Sequence, residues 1–511
     1  LDDADNEFNI VDLNASSNNL TLVNLVEADV AADGLTIGGA NLNPVSLIVD
    51  AGGDLIFTDG AGVGSGAGTV RYVTIDAIAG GEITQSGILN ISGVSGFDAG
   101  ASNITLTNTS NNFGGEVTIA GNTVEVTAGG ALAIGGDATA LTADAASTLD
   151  FAGGTYTTLN GIAGGSISQS GDLTVSGTTT LTSDEAAINA TLASATNELN
   201  EVSLVAAGGT FSTVSVRDAD TAADALTVGG NAVNLQARGA DIILSGGSYT
   251  TLDTFASSSV TQTGAVSGTA RLYATAAGVN TTLDNVGNNF DVVFLNDGGG
   301  THGAVEVVDA TGNLTIGVGT ATGATSLDAD TAGNLTFSGG SYTTLSGTAG
   351  GNIGQSGVLT VSGVTTLTAD TNAITATLAD ASNDFASVVL ATINGGSFSS
   401  AEVVDASALT IGGNAGTLTA TAGGALIFSG GGYTTLNGTA TGNISRSGNL
   451  SVSGTATMTA DTNAVTLGFG GIGSEFGAVD LASVNGGSFS AATVFDPNLV
   501  TISGDADVLN A

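Results

Sequence analysis

The stretch that decides the fold reads LTFSGGSYTTLSGTAGGNIGQSGVLTVSG (335–363), then TTLTADTNAITATLADASNDFASVVL (365–390), and closes with SFSSAEVVDASALTIGGNAGTLTATAGGAL (397–426). Its short runs alternate an aliphatic residue with threonine, as in Leu-Thr-Val at 359–361 and Ile-Thr-Ala-Thr-Leu at 374–378. A period of two puts the aliphatics on one face of a strand and the hydroxyls on the other. β-Branched residues fill the runs and Gly, Asn and Asp separate them, which is strand-and-turn punctuation. A 3.6-residue apolar period, the signature of a helix, is not evident in any segment.

Most of the chain is an imperfect copy of this stretch. A tyrosine, usually in GG-x-YTTL, recurs as Tyr72, Tyr156, Tyr249, Tyr342 and Tyr433. A polar residue follows each by 13 positions, as Gln85, Gln169, Gln262, Gln355 and Arg446. An aromatic or leucine after a polar pair forms a third marker, at Phe8, Phe113, Leu199, Phe290, Phe385 and Phe476. An LTIGG-like run starts at Leu35, Leu132, Leu226, Leu314, Leu409 and Val500. Successive tyrosines lie 84, 93, 93 and 91 residues apart. Such spacing is the mark of a repeat architecture with small loop insertions. The units run over 72–155, 156–248, 249–341 and 342–432, with partial copies at 1–71 and 433–511 and a glycine-rich insertion at 60–71.

Within one unit the main runs begin at Leu335, Leu359, Ile374, Val389, Leu409 and Leu426, 15 to 24 residues apart. That is the size of one turn of a β-solenoid, so each run is expected to lie on the next in a parallel sheet, with about five coils per unit. The whole chain, 1–511, is read as one continuous all-β solenoid without significant helix. A string of immunoglobulin-like sandwiches also suits a ~90-residue unit. The short strand candidates, the frequent glycine pairs and the absence of Trp favour the solenoid.

Composition agrees. Gly is 80 of 511 residues against 2 Pro, which excludes collagen and fits many tight turns. Mean hydropathy is +0.35, so this is not a polar disordered tract. The net charge is −42, with 47 acidic residues facing five arginines: Arg71, Arg217, Arg238, Arg271 and Arg446. A field of that sign repels nucleic acid and anionic lipid. The sequence has no cysteine to form a disulfide and no run of ~18 apolar residues to span a membrane as a helix.

Runs such as GNIGQSGVLTVSGVTTLTAD (351–370), GSISQSGDLTVSGTTTLTSD (165–184) and SNDFASVVLATINGGSF (382–398) resemble the repeats of filamentous-haemagglutinin-type large exoproteins. The resemblance covers nearly the whole chain. It implies a right-handed parallel β-helix, on the surface of a bacterium with an outer membrane. It also implies an extended stalk that attaches to a glycan or protein receptor, or continues into like subunits end to end.

A catalytic constellation is not visible. His302, the single histidine, sits in GGGTHGAVEV, where it reads as an exposed loop residue without a counterpart in the other copies. Acidic pairs two apart recur at Asp3/Asp5, Asp218/Asp220, Asp328/Asp330 and Asp505/Asp507. On a strand each pair shares one face, which suits weak Ca²⁺ binding, but aspartate also favours turns and the pairs share no repeat phase. Turn chemistry is the preferred reading, with Asp218, Asp220, Asp328 and Asp330 kept as the Ca²⁺ candidates and no other cofactor expected. The tyrosine ladder is read as packing beside glycine pairs rather than as a ligand surface. Broken threonine rows argue against ice binding. A carbohydrate-active β-helix enzyme or glycan-binding module is the alternative function.

Both ends match mid-repeat positions, so the chain is read as part of a longer solenoid. Asp2, Asp3, Asp5 and Glu7 at one end and Asp505 and Asp507 at the other place like charges on both. Alone, the segment is expected to stay monomeric at low salt and to associate end to end when Ca²⁺ or salt screens the charge. Sedimentation is the check, and stable filaments in low salt with chelator would contradict it.

Overall fold

The computed structural model describes residues 6–13, 20–27, 34–38, 45–58, 71–185, 187–219, 225–319, 323–498 and 500–511. The insertion at 60–70, with Asp3, Asp5 and Asp220, lies outside them. The described residues form 44 strands and no helix, in a parallel β-solenoid of about 22 turns. Two compact units divide the chain, 1–250 and 251–511, and each is built as the same kind of coil.

Each turn contributes a strand to each of two parallel ladders. In the second unit one ladder stacks Leu335–Phe337, Ile353–Gln355, Ala373–Leu378, Ser397–Asp405 and Ala415–Ala422. The other stacks Gly340–Ala349, Leu359–Asp370, Asp384–Ile393 and Leu409–Gly413, and then the first residues of Leu426–Ala440. Inward positions are the aliphatic half of each alternating run: Leu335, Phe337, Leu359, Val361, Ile374 and Leu378 are all at most 2 % exposed.

The stacking corrects two expectations. Consecutive apolar runs lie on one another only in part: Val389, Leu409 and Leu426 stack in one ladder, whereas Leu335, Leu359, Ile374 and Val389 alternate between the two. A period of two identifies the faces of a strand but carries no information about which sheet it joins. Nor does a sequence unit make five turns. Ladder partners carry Leu335 to Ile353, Ala376, Ala401, Leu418 and Leu436. Four turns therefore end at Leu418 and five at Leu436, whereas the sequence equivalent of Leu335 is Leu426, midway between. The first unit behaves alike: Ile75 leads to Ser95, Val117, Ile134, Phe151 and Gln169, and its equivalent Leu159 falls between the last two. One copy makes four and a half turns, so equivalent strands of successive copies join opposite ladders.

Many strands also run longer than the three to six residues expected, some within one ladder, as Leu359–Asp370 does, and some by continuing around a corner. Leu426–Ala440 pairs through Leu426–Gly430 with one ladder and through Tyr433–Ala440 with the other. The bend falls at Gly430 and Gly431, whose φ values are +119° and +143°. Only glycine adopts these angles without strain. A Cβ at Gly431 would lie 1.8 Å from the Gly413 carbonyl oxygen and 2.7 Å from the Tyr433 hydroxyl.

Gly431→Ala is therefore expected to destabilise its turns by about 3 kcal/mol, from strain and backbone overlap together. Gly354→Ala, where an added Cβ meets nothing within 4 Å, is expected to be near neutral. Local hydrogen exchange on the two variants measures the contrast.

Candidate functional site

The tyrosines and most of the aromatic markers that recur between copies lie in the interior. Tyr72, Tyr156, Tyr249, Tyr342 and Tyr433 are 2–4 % exposed, and burial pushes their phenol pKa values well above the usual range. Four hydroxyls donate to the carbonyl three residues back, at the glycine corner: Tyr156 to Gly153 (3.2 Å), Tyr249 to Gly246 (3.4 Å), Tyr342 to Gly339 (3.1 Å) and Tyr433 to Gly430 (3.4 Å). Tyr342 and Tyr433 stand in inward columns with an alanine on one side: Ala324–Tyr342–Val361–Phe385, and again Ala415–Tyr433–Val452–Phe476. Phe113, Phe290, Phe385 and Phe476 are buried in the same way, whereas Phe8 is half-buried.

The glutamine markers belong to a network that motif reading missed. Gln355 and Asn383 exchange both amide hydrogen bonds: Nε2 donates to Oδ1 at 2.9 Å and Nδ2 donates to Oε1 at 2.8 Å. The same Oδ1 accepts the Leu359 N–H at 2.9 Å, one turn back, and Nδ2 donates to the Val404 carbonyl at 3.3 Å, one turn on. A single buried side chain thus links three consecutive turns. Gln85/Asn111, Gln169/Asn197 and Gln262/Asn288 repeat the exchange at 2.8–3.0 Å. All four asparagines are at most 1 % exposed, so every one of these bonds matters: a buried amide without partners is costly.

In the fifth copy both partners change together. Arg446 replaces glutamine and donates to the carbonyls of Gly448 (3.1 Å), Gly470 (2.8 Å) and Gly471. Ser474 replaces asparagine, and its Oγ accepts the Leu450 N–H at 3.0 Å. That joint replacement was the sequence signal for the pair: the asparagine follows its glutamine by 26 or 28 residues, and Ser474 follows Arg446 by 28.

The carboxylates separate into two kinds. Asp218, 5 % exposed, accepts the Leu199 N–H at 2.8 Å, and Asp405 and Asp496 accept from Phe385 and Phe476 in the same way. These are inter-turn acceptors. Asp328 and Asp330 instead share the outward face of Gly323–Thr331, with Glu306 directly across the ladder from Asp328. Partial burial, then Asp370 and Asp328, raises the Asp330 pKa; partial burial, then Asp284 and Asp328, raises that of Glu306. Among the described residues, no group of three or more His, Cys, Asp or Glu side chains could hold a metal ion.

His302 contradicts its sequence reading. It lies on Thr301–Asp309, 3 % exposed, and pairs with Val279. Phe211, Phe398 and Phe489 occupy the equivalent place, paired with Ile188, Ile374 and Val465. Its Nε2 lies 3.1 Å from the Asn296 carbonyl, and its Nδ1 is buried without a partner. Burial lowers its pKa, opposed by backbone hydrogen bonds and by Asp297. Read linearly, the glycines of GGGTHG suggested a loop; in register, GGGTH aligns with GGSF.

A family model described as "Repeats of unknown function (DUF5649)" matches five segments, 52–120, 136–206, 230–296, 327–392 and 415–471, which together cover more than half of the chain. Each segment contains one of the five tyrosines and the polar marker 13 residues after it. No curated protein and no solved structure matches.

Replacing Asn383 by Ala leaves the Leu359 N–H without its acceptor and Gln355 Oε1 without its Asn383 donor, while Gln355 Nε2 keeps the Gly357 carbonyl, at an expected cost of about 3 kcal/mol. Because the two amides serve each other, Gln355→Ala on top of Asn383→Ala should cost about 1 kcal/mol less than it does alone. A double-mutant cycle followed by urea unfolding gives the coupling, and strict additivity would contradict the exchange.

Proposed function

The chain belongs to the family of repeats of unknown function (DUF5649), and from that premise we propose that its work is mechanical. It serves as a non-catalytic segment of an extracellular structural or adhesive fibre, giving length and stiffness at a bacterial cell surface. One observation carries this reading. Buried side chains dominate what repetition preserves: the tyrosines cap glycine corners and the glutamine–asparagine pairs tie consecutive turns. What the copies have in common is therefore the coil itself. Outward positions vary more from copy to copy, apart from the exposed threonine after the tyrosine at Thr157, Thr250, Thr343 and Thr434. The acidic surface supports the reading through charge repulsion, which keeps neighbouring fibres apart.

A second reading, glycan binding, draws on a shallow groove that recurs beside Tyr156, Tyr249 and Tyr342 and is lined by hydroxyls such as Thr155, Thr157, Ser341 and Thr343. It offers neutral hydrogen-bonding groups in a strongly anionic chain, which suits an uncharged sugar.

Protease treatment of intact producing cells tests the location: the fibre reading expects the chain to be shaved from the surface, and recovery only from the cytosol would sink it. In-frame removal of 342–432 then separates the two readings. A fibre should still fold, since the junction joins equivalent residues, and should lose reach and attachment in proportion to length. Abolished attachment, or turnover of a polysaccharide panel that carboxylate substitutions remove, would instead favour a specific site in that copy.

A further inference from the structure

The third copy, 249–341, departs from the others on both faces. Among its described residues six buried polar atoms have no hydrogen-bond partner: Asp253 Oδ1, Thr254 Oγ1, Thr281 Oγ1, Asn296 Nδ2, His302 Nδ1 and Asp309 Oδ2, against one each, at Ser95, Thr179 and Thr365, in the copies 72–155, 156–248 and 342–432. The ladder between Ala277–Leu283 and Thr301–Asp309 shifts register twice, on either side of Val279, the residue paired with His302. Outside, Phe255 stacks on Tyr273 with centroids 4.3 Å apart, and Arg271 lies 3.8 Å from Asp253. The interior of these turns is imperfectly satisfied, and the added contacts sit on the surface.

We propose that the turns built by Asn289–Asp297 and Thr301–Asp309 open when the medium becomes acidic, with His302 as the trigger. The argument is one of donors and acceptors. In the neutral ring, Nε2–H donates to the Asn296 carbonyl and Nδ1 is left as a bare acceptor, which a buried site tolerates. Protonation places a second N–H on Nδ1, which has no hydrogen-bond partner in the fold, and puts a charge in a buried site beside Val279 and Ala324, where the backbone of Asn296 and Leu272 favours the charged ring less than burial disfavours it. The phenylalanines at the equivalent positions cannot take up a proton, so the device is confined to this copy.

The surrounding charges do not offset that cost. Ala277–Leu283 carries no titratable group, and Val266–Ala274 carries Arg271 and Tyr273. Asn289–Asp297 carries Asp291 and Asp297, Gly323–Thr331 carries Asp328 and Asp330, and the histidine's own strand carries Glu306 and Asp309. Tyr342 lies one turn beyond Ala324. Of these, Asp297 acts on the ring, more weakly than burial does.

The sign follows. Burial holds the folded pKa below its ordinary value, so the open form binds the proton first. The stability is complete above about pH 6.5 and is lost as pH falls from there toward the folded pKa.

Hydrogen exchange on the whole chain at pH 7.5 and 5.5, corrected for intrinsic rates, tests this. Protection of 289–309 is expected to fall about tenfold more than that of the equivalent 384–405, and not to do so in His302→Phe. Equal loss in His302→Phe would assign the effect to carboxylates and overturn the proposal, as would no loss in the native chain. Should His302→Phe misfold, His302→Gln, neutral throughout the range, makes the same comparison. Because the chain has one histidine, a ¹³C-histidine label gives a single ring signal; a pKa at or above the ordinary value would also defeat the proposal.

Discussion

The structure depends on one constraint: every turn must present its backbone N–H and C=O groups in register to the turns on either side. With turns ~4.8 Å apart, an inward side chain rests directly on its counterparts above and below. Volume along a column is therefore shared. Ala324 stands beside Tyr342, and Val361 separates that ring from Phe385. Across the interior the same economy holds: a Cβ at Gly347 would meet the Phe337 ring at 2.8 Å. An interior with so little slack favours polar groups whose partners are built in, as the glutamine–asparagine exchange shows.

The half-integral repeat follows from the same constraint. Two ladders face one another across a narrow core, and a strand on either meets the same kind of neighbour. A copy can begin on whichever ladder the previous one leaves free. The corner motif makes this practical: Leu-x-Phe, two glycines and tyrosine cross from one ladder to the other in both settings, at Leu335–Phe337 with Gly340–Ala349 and within Leu426–Ala440. Successive copies therefore present equivalent outward residues on opposite ladders.

The third copy shows how far the pattern bends. A histidine stands at a phenylalanine position, the Asn296 side-chain amide is buried without a partner, and a stacked aromatic pair sits outside. The coil persists because its backbone ladders do not depend on any one side chain. In a stack of repeats each turn is held by its immediate neighbours, so local imperfection stays local.

The sequence by itself determined the class of structure. Alternating Leu-Thr-Val runs, glycine pairs and tyrosines 84 to 93 residues apart are local signals, and they specify short strands, corners and repetition. It also marked Gln85, Gln169, Gln262 and Gln355 as special without revealing why, since each partner asparagine lies 26 or 28 residues away. What only the tertiary structure decided was pairing: which ladder a run joins, that a copy spans four and a half turns, and that His302 is buried where phenylalanine would be. Those outcomes depend on how many residues each corner consumes and on which residues meet one turn, 16 to 28 positions, away. No local period encodes that length, and it alone sets the register of the stack.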